Sequence, residues 1–234
     1  MRSIICCFVV LVAGLSAQGI IYHIDQPVPI SLAHGEYLAG LRLWGEGGII
    51  ARFGVGLFDR LTMGMSYSVN RFIGSDNPEL SRPRPELLVR FAVLKEAGYA
   101  PDLALGFESQ GYDYYSKGGD RFTVKEKGVF LAIGKTIEAS RTYCELGVNW
   151  WQGFNGFVVV NQLFPGNVEL VAEYDPGLND LPGNGKFRGG WLNAGMVWTF
   201  QDRVRVGFAL RDILGNKERT RLNRVFYVSL QESF

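Results

Sequence analysis

Several shortages in this sequence each close off a class of protein. It has three cysteines, Cys6, Cys7 and Cys144, in none of the CxxC spacings of metal sites. Charged residues make up 20% of it, and the formal net charge of +1 gives no electrostatic case for nucleic acid as a partner. Its two histidines, His23 and His34, both precede the first regular segment, so a Ser–His–Asp arrangement on the later framework has no base. HExxH, P-loop and GxSxG patterns are all missing. The sequence therefore offers no catalytic residue, no metal ligand set and no cofactor motif, and it reads as a non-enzyme. No stretch beyond the N-terminus reaches the roughly 18 apolar residues of a membrane-spanning helix, and no 3.6-residue period stands out.

What the sequence does have is glycine, at 30 residues, and aromatic side chains, at 13%. With so little charge, this mixture suits close-packed β structure or a membrane setting. The first residues, "MRSIICCFVVLVAGLSAQG", place Arg2 ahead of an apolar run from Ile4 to Leu15, then the small residues Gly14, Ser16 and Ala17. This is the pattern of a secretory signal peptide over residues 1–18, cleaved near Ala17 or Gly19. Cys6 and Cys7 would leave with it, and Cys144 alone cannot form an internal disulfide. Residues 19–35, with Pro27 and Pro29, read as an extended lead-in. The remainder, 36–234, is one domain.

In that domain the period is two. In "GLFDRLTMGMSYSVN" (56–70), Leu61, Met63, Met65, Tyr67 and Val69 alternate with Thr62, Gly64, Ser66 and Ser68. Alternation places the two sets on opposite faces of a strand. One face is greasy and the other almost bare, which suits lipid on one side and a lumen on the other. About twelve such segments follow one another, around 37–43, 49–57, 61–69, 87–93, 103–107, 129–133, 144–150, 157–164, 168–174, 192–200, 204–210 and 226–230. The segment 157–164 is apolar on both faces. Short connections (58–60, 95–101, 137–141, 165–167, 201–203) alternate with longer polar ones (70–85, 110–126, 175–189, 213–223), with 45–48 and 151–155 short where long would fit. Short–long alternation is the habit of transmembrane barrels, whose closed ladder pairs every backbone group away from water. The expected fold is an all-β transmembrane antiparallel up-and-down β-barrel of about 12 strands in a bacterial outer membrane.

The face opposite the apolar one carries Arg42, Arg52, Arg90, Arg205 and Arg211 together with Glu86, Glu108, Glu145, Glu169 and Glu173. These ten charges either line a narrow aqueous path or pair into a network that closes the barrel. Gly54, Gly56, Gly64, Ser66, Gly106, Gly147, Gly195 and Gly207 on the same face leave room, which favours a channel. Glu169 and Glu173 are roughly 13 Å apart along one strand, too far to act as a carboxylate pair. A third alternative, a soluble lipocalin-like ligand-binding barrel, would need an exterior of Gly, Ser and Thr, a poor soluble surface.

Three further features carry expectations. The chain ends with Phe226, Val228 and Leu230 in period two and a terminal Phe234, resembling the C-terminal signal read by barrel assembly machinery; Glu232 departs from it. Trp44, Trp150, Trp151, Tyr174, Trp198 and Phe200, near strand ends, suit aromatic girdles. In the loops, Tyr112, Tyr114 and Tyr115 suit an interfacial belt or stacking on sugar rings. Asp175, Asn179 and Asp180 offer oxygen ligands for Ca²⁺ without EF-hand spacing, turn chemistry explaining them equally. Lys217, Arg219 and Arg221 face either solvent or lipopolysaccharide phosphates.

Four stretches, "APDLALGFESQGYDYY" (100–115), "KGVFLAIGKTI" (127–137), "LVAEYDPGLND" (170–180) and "LNAGMVWTFQDRVRVGFALRDIL" (192–214), resemble the YjbH-like outer-membrane β-barrel proteins linked to exopolysaccharide production. The resemblance spans about residues 50–215 of a chain much shorter than the long members of that family. It implies an outer-membrane protein, either a narrow channel or an accessory of envelope or exopolysaccharide export, and it assigns no catalytic residue. The partners it and the pattern imply are outer-membrane lipid and lipopolysaccharide, the assembly machinery, and polysaccharide-export components. A closed structural barrel without transport is the alternative.

Overall fold

The computed structural model describes residues 22–179, 189–216 and 222–234. Its strands, in chain order, are β1 (Glu36–Trp44), β2 (Gly48–Leu57), β3 (Leu61–Asn70), β4 (Glu79–Leu80), β5 (Glu86–Leu94), β6 (Asp102–Glu108), β7 (Tyr112–Ser116) and β8 (Arg121–Val124). They continue with β9 (Gly128–Ile137), β10 (Thr142–Trp150), β11 (Phe154–Phe164), β12 (Val168–Asp175), β13 (Trp191–Phe200), β14 (Val204–Arg211) and β15 (Asn223–Ser233). Twelve of these form one antiparallel ring in the order β1, β2, β3, β5, β6, β9, β10, β11, β12, β13, β14, β15, and β15 closes onto β1 from Glu36↔Ser233 to Trp44↔Val225. Closure leaves no unpaired edge, so every strand can sit in lipid.

The period-two pattern explains the two faces. Phe53, Met63, Leu87, Leu105, Leu146, Leu170, Met196 and Phe208 stand outward and exposed, a continuous apolar belt. The soluble lipocalin-like alternative is corrected here: it needs these apolar faces to point inward. Trp150, Tyr174, Trp198 and Phe200 are exposed on the outer surface, as girdle residues are. Trp44 corrects that expectation, because it is 4% exposed and points inward. Segment 157–164 is indeed a strand. Its inward Phe157 and Val159 are buried in an apolar cluster inside the barrel while Val158 and Val160 face out, which is why both faces are apolar.

Three tight turns on one end have both central residues at positive φ: Phe58–Asp59, Gly166–Asn167 and Gln201–Asp202. That backbone twist matches the twist of the flanking strands, so the hairpins close without splaying. Gly35 and Phe234 meet at this end, the Phe234 N–H donating to the Gly35 carbonyl at 2.9 Å. The long connections lie at the other end. One of them, between β6 and β9, contains the unforeseen hairpin β7–β8.

Of the inward glycines expected to leave room, Gly106, Gly147 and Gly207 instead receive an aromatic ring, as does Gly48. A Cβ on Gly106 would lie 2.2 Å from the Phe130 ring, on Gly147 2.0 Å from Phe157, on Gly207 2.1 Å from Tyr227 and on Gly48 1.9 Å from Trp44. Each ring comes from the residue directly across the ladder. This is a cross-strand cover of glycine by aromatics, and it fills the wall's inner surface.

Candidate functional site

The site is the lumen, and two segments enter it. The first is the stretch before β1. From Gly35 at the short-turn end it runs up inside the barrel to a tight turn, where the His23 N–H donates to the Gln26 carbonyl at 3.2 Å and Tyr22 bridges Pro27. Residues 23–29 are buried. The small faces of β2 and β3 make room for it. Thr62 accepts the Leu32 N–H at 2.9 Å, and a Cβ on Gly56 would strike the Ala33 carbonyl and Leu32. The second is the hairpin β7–β8, folded in from the long-loop end, with Tyr112, Tyr115, Phe122 and Val124 all buried. Asn70 grips it like a backbone partner, donating to the Tyr115 carbonyl at 3.0 Å and accepting its N–H at 3.2 Å.

All ten charged side chains stand on the inner wall; nine meet an inserted segment or another wall charge, and Glu86 meets Arg82 of the connection before β5. Arg42 donates to Asp25 Oδ1 at 2.5 Å and to the Ile24 carbonyl, with the Tyr112 ring 4.3 Å from its guanidinium. Arg52 lies between Glu108, at 3.6 Å, and the Tyr22 ring, at 4.0 Å. Arg90 donates to the Ile30 carbonyl at 2.8 Å. Glu145 meets His23 Nε2 at 3.1 Å. Glu173 accepts the backbone N–H groups of Ile24, Asp25 and Gln26 at 3.2, 2.8 and 3.3 Å. Arg211 binds Asp25 Oδ2 through Nε at 2.7 Å and also pairs with Asp113 of the hairpin. Glu86 pairs with Arg82 at 3.1 Å, and Glu169 takes Arg205 in a two-toothed pair at 3.0 and 3.1 Å. Arg42 and Arg211 are thus the points where wall, N-terminal segment and hairpin join.

Sequence reasoning missed Asp25, Asp113, Asn193, Lys127 and the inward course of Tyr112. Asn193 was visible as the polar member of an alternating strand. Nothing local marked Asp25, whose partners lie far along the chain. The tyrosine cluster is corrected: Tyr112 and Tyr115 are buried inside the barrel, at neither a belt nor an open sugar site. Asp175 is held by Lys127 at 2.8 Å and Asn155 at 2.7 Å, and among the described residues no cluster of His, Cys, Asp and Glu could hold a metal ion. Residues 1–21, Asp180, Lys217, Arg219 and Arg221 lie outside the described residues. Glu232 meets Arg203 at 2.6 Å, which accounts for a carboxylate near the apolar face.

At the long-loop rim, Glu79 joins the loop after β3 to the hairpin through Lys117, at 2.6 Å, and holds Arg71 at 2.9 Å. The hydrogen bond from Lys117 keeps its carboxyl below the ordinary value. Glu126 answers Arg82 at 2.6 Å, and burial pushes its carboxyl up.

No family model matches the chain, and no curated protein matches it. Among solved structures it is similar to a KdgM porin, at 9% identity and a TM-score of 0.50, over 85% of this chain and 99% of that one. The same figures hold for a KdgM porin in complex with disordered oligogalacturonate. At that identity the likeness is one of fold: a porin-type barrel.

Proposed function

We propose that this chain is an outer-membrane porin-type barrel closed by its own N-terminal segment, and that solutes pass when the segment withdraws. The observation that carries this is the chemistry of the wall behind the segment. A barrel filled for good can use apolar side chains, as small barrels do. Here Arg42, Arg90, Glu145, Glu173, Asn193 and Arg211 face the segment through hydrogen bonds and ion pairs. Water can replace each of those bonds, so the net cost of parting is about 0.5–1.5 kcal/mol per neutral bond and more per charged one. This polar part of the wall suits both states, occupied and wet, while Ile24 of the segment packs in the apolar cluster beside it. The barrel needs no catalytic group for this role.

The outward apolar belt supports a reading in which lipid surrounds the wall, with lipopolysaccharide as the neighbour of the long-loop rim. The outward, exposed Phe226 and Leu230, the half-buried Val228 and the exposed Phe234 suit recognition by assembly machinery at the closing strand. A part in exopolysaccharide export, with export components as partners, is the second reading, supported by the resemblance of residues 50–215 to YjbH-like proteins.

Planar-bilayer recording tests the proposal. The refolded chain should stay shut for most of the record, and a variant lacking residues 22–32 should conduct in steady steps. Equal currents from the two would refute it. Recovery of the native protein in the soluble fraction of cells would refute the membrane reading itself.

A further inference from the structure

The turn at Asp25 touches the wall in a way that describes a ligand. Four wall residues from four strands converge on this one residue: Arg42 of β1, Glu173 of β12, Asn193 of β13 and Arg211 of β14. The Asp25 carboxylate receives Arg42 at 2.5 Å, Arg211 Nε at 2.7 Å and Asn193 Nδ2 at 3.2 Å. Its own N–H, with those of Ile24 and Gln26, converges on the Glu173 carboxylate. The wall thus reads both arms of an acidic residue, the carboxylate and the peptide N–H groups around it.

Three of these groups are held in place without help from the turn. Asn193 Oδ1 accepts the Asp212 N–H at 2.9 Å, which aims its Nδ2 into the lumen. Arg211 is braced by Asp113 of the hairpin. Glu173 stands directly across the ladder from Asn193 and accepts its Nδ2 at 2.7 Å. Pre-organised groups lose little freedom when a ligand arrives, so they bind it well.

We infer that Arg42, Glu173, Asn193 and Arg211 form a binding site for short acidic peptides, and that Asp25 occupies it as a built-in ligand in the closed state. The inference rests on the proposed withdrawal of the N-terminal segment. Such peptides place an aspartyl carboxylate on the two arginines and their flanking N–H groups on Glu173. They compete with the segment for one place. Acidic sugars share the carboxylate but bring hydroxyls instead of converging amides.

The experiment uses the full-length chain with Asp25→Asn, which keeps the side chain's shape, its barrel checked by circular dichroism. In a planar bilayer this variant should conduct. N-acetyl-Ile-Asp-Gln-amide should then block it, and N-acetyl-Ile-Asn-Gln-amide should need at least about tenfold more. Equal block by the two peptides, or none, overturns the site while the withdrawal reading stands. Block by trigalacturonate at the same concentration as the Asp peptide overturns the ligand class. A variant that folds and stays shut overturns the withdrawal reading, and the site with it. The unmodified chain gives a second route that needs no variant. There the Asp peptide should speed hydrogen exchange at the amides of Ile24, Asp25 and Gln26, and an unchanged rate overturns the competition.

Discussion

Replacing Arg211 by Met should loosen both inserted segments without opening the barrel wall. Arg211 is 0% exposed and holds Asp25 through Nε at 2.7 Å and Nη2 at 2.5 Å, with Asp113 on its remaining nitrogen. Methionine fills much of the volume and brings no charge, so two buried carboxylates lose a partner. Removing one member of a buried pair costs about 3–5 kcal/mol. Asp25 keeps Arg42 and Asn193, and Asp113 keeps Asn223 at 3.1 Å, which puts the loss at the lower end, about 3 kcal/mol. At 1.4 kcal/mol per factor of ten, the undocked share of the N-terminal segment should rise roughly 100-fold. The ladder from Val204↔Leu230 to Arg211↔Asn223 needs no guanidinium, so the wall should stay protected. Hydrogen exchange measures both at once: the amides of Ile24, Asp25 and Gln26 should exchange about 100-fold faster while those of β13 and β14 hold. Exchange within about threefold of the unmodified chain, on an intact barrel, would refute the claim that Arg211 anchors the segment.

Gly207→Ala should destabilise the barrel by about 1–3 kcal/mol in a denaturant titration, because the new Cβ would meet the Tyr227 ring at 2.1 Å, and adding Tyr227→Val should recover most of it. No loss from the single change would show that the ring moves aside freely. The rim should be sensitive to acid. Glu79, held below its ordinary pKa by Lys117, favours the latched rim above its unfolded pKa, and that contribution fades as pH falls through the lowered value. Exchange in β7 and β8 should therefore rise modestly on acidification, and Glu79→Gln should remove that dependence. Deleting Phe234 should lower the yield of barrel that resists unfolding in detergent at room temperature, since its N–H ties the chain end to Gly35 and its ring lies 5.0 Å from Tyr37. An unchanged yield would argue against a role in assembly.

The sequence alone determined the wall. Strand alternation is a local, period-two property, so Leu61, Met63 and Met65 reveal their shared face without any knowledge of their neighbours, and the short and long connections reveal which end is which. Even segment 157–164, apolar on both faces, was legible as a strand. What fills the wall was not legible. The same alternation that sent Gly106, Gly147 and Gly207 inward said nothing of the rings that cover them, because those rings come from across the ladder. Arg42, Glu145, Glu173 and Arg211 could be placed inside, but whether they line water or hold a segment depends on residues that meet only in the closed ring. Asp25 and Arg211 are 186 positions apart, and His23 and Glu145 are 122 apart. Local patterning fixes which way a side chain points. Only tertiary structure decides what stands in front of it, because contacts over such separations are set by barrel closure and by the path of two segments through the lumen.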